Sequence, residues 1–108
     1  MPQFDVHPNP GRQRAAVPFV VSIQSSRFDH APTRLIAPLF DVALAERFDP
    51  PALLPRFLIA GRTVILDPFK VQSIPRQSLG PAIASLADDN DASRIVNALD
   101  AVLSRAYG

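Results

Sequence analysis

Cysteine and tryptophan are both absent from this chain of 108 residues. Without cysteine there is no disulfide framework, no thiolate zinc site and no thiol nucleophile. A reducing cytoplasm is then the default compartment. No apolar run approaches the ~20 residues that span a bilayer. The opening MPQFDVHPNPGR lacks the basic, apolar, small-residue order of a secretory signal. A cytoplasmic protein with no membrane contact is the expectation. Charge of one sign is lacking too: eleven basic residues against ten acidic ones leave a formal +1. A protein drawn to nucleic acid by phosphate electrostatics usually carries a clear basic excess. Glycine-rich phosphate loops, GxSxG and HExxH are all missing.

What is present is a chain that can bury a core, with 47% hydrophobic residues and 19% charged ones. It also carries twelve prolines, about twice the usual share. They are dispersed, and each breaks a helix or marks a turn or a strand edge. Short strands and loops are therefore expected before about residue 82, and a helix after it. Gln3 to His7 alternates, with Phe4 and Val6 on one face. Val17 to Gln24 is the strongest strand: Val17, Phe19, Val21 and Ile23 share one face, and Val20 on the other suggests burial on both sides. Ser25 to Thr33 is a loop displaying Arg27, Phe28 and His30, with Ser25 and Ser26 capping a turn. Arg34 to Phe40 returns to strand, with Pro38 pointing to an edge or a bulge. Asp41 to Phe48 fits two helical turns or an irregular excursion. Gly61-Arg62 suits a type II′ hairpin turn between Pro55–Ala60 and Thr63–Asp67. Val71 to Ile74 is a last short strand, and a short helix is possible over Ala82–Leu86.

From Asp88 the pattern is helical. The acidic and amide run Asp88-Asp89-Asn90-Asp91 suits the positive end of a helix. Ile95, Leu99, Val102 and Ala106 form the core stripe, widened by Val96 and Leu103. At ~100° per residue, Asp100, Ser104 and Tyr107 share the adjacent polar flank. The same aspartates fail as a calcium loop begun at Asp89, because Arg94 stands where the EF-hand glycine belongs. His7 and His30 are far apart and have no ligand at helical or hairpin spacing. They read as a partly exposed strand-end residue and a loop residue. Residue physics thus gives a strand-rich domain in which binding outranks catalysis.

Several segments taken in order are similar to the CcdB toxin family. They are Gln3-Phe4-Asp5-Val6, Phe19 through Ser25, Arg34 through Leu39, Ser73-Ile74-Pro75, Leu79-Gly80 and Asn97-Ala98-Leu99. The resemblance implies a mainly β fold with a C-terminal α-helix, the SH3-like barrel of CcdB/MazF-like plasmid toxins. It implies a single toxin domain over 1–108, with a strand-rich barrel over 3–80, a helix over about 89–106, and a homodimer. The implied activity is binding to the A subunit of DNA gyrase and trapping of its cleavage complex. A CcdA-type antitoxin would neutralise the toxin and co-repress the operon with it, so DNA is met only through the antitoxin. No catalytic residue, metal or cofactor is implied. The implied gyrase contacts are the aromatic-Gly pair Tyr107-Gly108, Asp100 and Ser104 on the helix, and Arg27 and Phe28, where the family typically has two Ile. Two other readings stay open. One is a MazF/Kid-like endoribonuclease using Asp29 or His30 with Arg27 or Arg34. The other is a non-toxic co-repressor that only binds an antitoxin.

Overall fold

The computed structural model describes residues 3–47 and 54–103. Within them the fold is mainly β, a nearly closed barrel-like sheet with one C-terminal helix. The strands are β1 (Asp5–Pro8), β2 (Phe19–Ser22), β3 (Thr33–Asp41), β4 (Arg56–Ile59), β5 (Arg62–Leu66), β6 (Gln72–Pro75) and β7 (Ala84–Ser85), followed by α1 (Asp89–Leu103). Their order is β4-β5-β3-β2-β1-β7, all antiparallel, with β6 paired to β3 off this path.

β2 is buried on both faces, as Val20 suggested. Phe19, Val21 and Ile23 join Val6, Ala37, Leu39, Phe57 and Val64 in the main core, while Val20 packs with Ile36 and Leu79 on the other side. A third cluster joins Phe40 and Ile65 to Val17, Val42 and Leu44. Residues 42–47 form a 3-10 helix, the more regular of the two forms expected there. Phe4 precedes β1 with φ 68, so the strand begins two residues later than the expected start at Gln3, yet Phe4 is still buried.

Four expectations are corrected. Pro38 lies not at an edge but in the central strand, paired with Val20 of β2. On the other side of β3, Thr33–Ile36 pair with β6 and Leu39–Asp41 with β5. Pro38 falls where the partner changes, and its carbonyl accepts the Asp67 N–H at 3.0 Å. The missing N–H faces that same side, where Pro38 lies between the last residue paired with β6 and the first paired with β5, so it interrupts neither pairing. The hairpin turn sits on Ala60-Gly61, with φ 50 and 81, which is a type I′ rather than a II′ geometry. Ile59 and Arg62 close it.

Ala82–Leu86 is not helical. Ile83 and Leu86 donate their N–H groups to the carbonyls of Val6 and Phe4, and Ala84–Ser85 extends the sheet beyond residue 80. On α1 the buried residues are Ile95 and Ala98, while Val96 and Leu103 are exposed. The Arg94 guanidinium lies 4.6 Å from the Phe57 ring of β4. Arg94 also donates to the Arg56 carbonyl, so this side of the helix is tied to β4. The last expected stripe residue, Ala106, lies outside the described residues. The Asp88 carboxylate caps the helix by accepting the Asp91 N–H at 3.0 Å.

Two predictions follow from the joins between strands. A left-handed alanine costs about 1–2 kcal/mol, and asparagine suits that turn position. Ala60→Asn should add about 0.5–1 kcal/mol, raising the melting temperature by about 3–6 °C. An unchanged melt would argue against the left-handed turn. At the barrel's other join, Arg62 Nη2 bonds Asp41 at 2.6 Å. This bond, with the Ala43 N–H, holds the Asp41 carboxyl below its ordinary value. A depressed folded pKa stabilises above the unfolded value and fades as pH falls through the lower one. The stability gap between wild type and Asp41→Asn should therefore narrow from pH 6 to pH 3 in urea titrations. A constant gap would refute the pair's role.

Candidate functional site

The loop between β2 and β3 carries Arg27 and Phe28 on a 3-10 turn, Ser26–Phe28. Its N-cap is Ser25, whose hydroxyl accepts the Arg27 N–H at 3.3 Å, so of the two serines expected to cap it is Ser25 that does. The turn closes through Phe28 N–H to the Ser25 carbonyl and Asp29 N–H to the Ser26 carbonyl. Arg27 and His30 are exposed, and Phe28 is 61% exposed. Leu35, at the start of β3, is also open to solvent.

Beneath the loop, Arg34 is fully buried. Its guanidinium forks onto a single residue: Nη1 meets the Asp29 carboxylate at 3.2 Å, and Nη2 donates to the Asp29 carbonyl at 3.0 Å. Arg34 Nε has no partner. Both terminal nitrogens are engaged inside the protein, so this cation is not offered to an external phosphate. The endoribonuclease reading loses one of its two candidate cations.

On the same sheet face as Arg34 lie His7 and Ser22, also buried. His7 is therefore not the partly exposed strand-end residue expected from its position. Its Nδ1 is 2.8 Å from the Gly80 carbonyl, which can only accept, so Nδ1 carries the proton. This bond pins the segment after β6 across the sheet. Hydrophobic patterning could not show it, because Gly80 contributes only its backbone. Among the described residues no group of three or more acidic or histidine side chains could hold a metal ion. No helix there is long and apolar enough to cross a membrane.

On the same face, a groove of about 310 Å³ is floored by Val20, Ile36 and Pro38 and rimmed by Arg12, Gln13 and Lys70. An adjoining recess of about 130 Å³ is walled by Val17, Phe40 and Leu44. Sequence reasoning missed this groove, since its rim comes from two polar loops that only the barrel brings together. Of the helix residues expected at the site, Asp100 is exposed on α1. Ser104, Tyr107 and Gly108 lie outside the described residues.

A family model described as CcdB protein matches residues 3–104, nearly the whole chain and all the described strands. The chain belongs to the CcdB family. Membership makes it a toxin of a toxin–antitoxin system. A comparison with curated proteins finds no match.

The Arg34–Asp29 pair yields a stability prediction. Asp29→Ala strands a buried guanidinium, while the Asp29 side chain itself keeps 32% exposure, which moderates the loss. The cost should be about 2–3 kcal/mol in urea unfolding. Asp29→Ala with Arg34→Met should be less destabilised than Asp29→Ala alone, because the uncompensated charge is gone. Additive losses would show that the pair does not act as one.

Proposed function

We propose that this CcdB-family toxin binds the A subunit of DNA gyrase and traps the cleavage complex, acting as a homodimer and without enzymatic turnover. The observation that supports this is the family match over residues 3–104 together with the displayed loop at the position of the family's contact. Phe28 is an aromatic anchor on a backbone tied down on several sides, the form that interface hot spots take. Arg27 adds a cation where the family typically has an apolar residue, so the electrostatics of this face suit an acidic rim on the partner. Asp100, Ser104 and the Tyr107-Gly108 pair complete the proposed contact from the helix end.

The toxin's antagonist in this reading is a CcdA-type antitoxin with which it co-represses its operon, so contact with DNA is indirect. The groove rimmed by Arg12 and Lys70 beside an apolar recess suits an acidic, partly apolar peptide segment of such a partner. Its chemistry is complementary on both counts.

The test is a gyrase supercoiling and cleavage assay with purified protein. Wild type should inhibit supercoiling and accumulate double-strand breaks. Phe28→Ala should weaken inhibition at least tenfold, the scale of a lost hot-spot side chain, with a nearly unchanged melting temperature because the ring is exposed. Absence of inhibition at micromolar wild-type protein would refute the proposal.

A further inference from the structure

Phe28 is held in place by residues that lie outside its own turn. Gln24, just past β2, spans the root of the loop. Its side-chain N–H group donates to the Phe28 carbonyl at 2.8 Å and to the Thr33 carbonyl at 3.2 Å. Its side-chain oxygen accepts the Leu35 N–H at 2.9 Å. One amide thus joins the exposed aromatic residue, the far end of the loop and the first turn-free residues of β3. Arg34 grips the next residue along, Asp29, by carboxylate and carbonyl together. The main chain is therefore clamped at Phe28 and at the residue after it, both times from the strand side.

An aromatic ring on a slack loop would fold down to bury its apolar surface. Here the backbone is fixed from below, and the ring stays out in solvent. Arg34 is itself fully buried and cannot touch a partner. Ordering a flexible loop on binding carries an entropy cost of about 1–2 kcal/mol for each residue fixed. A loop ordered beforehand spares the complex that cost.

We infer that Gln24 and Arg34 are positioning residues, which hold the 25–33 loop in its binding shape before the partner arrives. The inference rests on the reading of Phe28 as a gyrase contact, and it adds the residues that set the affinity of that contact without touching it.

Gln24→Glu tests it in the full-length protein. The substitution keeps the acceptor for the Leu35 N–H and removes both donations to the loop carbonyls. Amide hydrogen exchange at Phe28, Asp29 and Ala31, all bonded within the loop, should speed up several-fold. Exchange at Ile23, bonded to the Leu35 carbonyl, should hold. Affinity for purified gyrase A subunit should fall about tenfold in the wild-type background. In a Phe28→Ala background the same substitution should have little further effect.

Unchanged exchange in the loop overturns the inference whatever the affinity. A loosened loop with full affinity, in a protein where Phe28→Ala does weaken binding, also overturns it and leaves the gyrase reading standing. Equal losses from Gln24→Glu with and without Phe28 overturn it as well, because the effect would not pass through the ring. Wild type that fails to bind gyrase A, or Phe28→Ala that binds as well as wild type, removes the contact reading and the inference together.

Discussion

The structure depends on β3, a single nine-residue strand that must satisfy three neighbours. Along one side it is zipped to β2. Along the other it gives its first half to β6 and its last residues to β5. Side chains alternate across it, so Ala37 and Leu39 enter the main core while Ile36 reaches the second and Phe40 the third. A strand with three partners and two buried faces cannot slip by a residue without exposing one core and burying polar groups in another. Pro38 marks the place where the two partners on one side exchange. A residue without an N–H is tolerated in the middle of a sheet because the exchange leaves that side without a strand-to-strand pair there.

The same strand ties fold to function. Its N-terminal end emerges from the sheet at Thr33–Leu35, and there the loop carrying Arg27 and Phe28 is attached. Arg34 points to the second face, where the sheet is covered by the segment around Leu79 and Gly80. The face combines apolar packing with three buried polar residues, His7, Ser22 and Arg34. Desolvating a guanidinium is costly unless its charge is met, and Asp29 meets it. The pair thereby fixes the loop while it satisfies the interior. Presentation of an exposed aromatic follows from the needs of a buried cation.

Much of this was legible in residue order. Val17–Gln24 read as a strand buried on both sides because Val20 interrupts an otherwise polar face, and β2 is that strand. The loop with Arg27 and Phe28 and the acidic start of the helix were equally plain. Other elements were not. Ala82–Leu86 has helical composition, but its N–H groups find the carbonyls of Val6 in β1 and of Phe4 just before it, and pairing with a distant strand outweighs local preference. The hairpin turn moved by one residue because Ala60 accepts a left-handed conformation when the flanking strands need a type I′ twist. Val96 and Leu103 belong to an apolar stripe by periodicity, yet they face solvent, while Ala98 joins Ile95 in the core.

Local pattern alone determined that the chain is strand-rich with a terminal amphipathic helix, and ordered segments placed it in its family. Those properties depend on side-chain periodicity, on the rigidity of proline and on neighbours close in sequence. Tertiary structure alone decided which strand is central, which polar residues are buried, and what holds the exposed loop. Each of these depends on groups far apart in the chain, such as His7 with the Gly80 carbonyl. It also depends on whether a charge, once removed from water, finds its counter-charge inside.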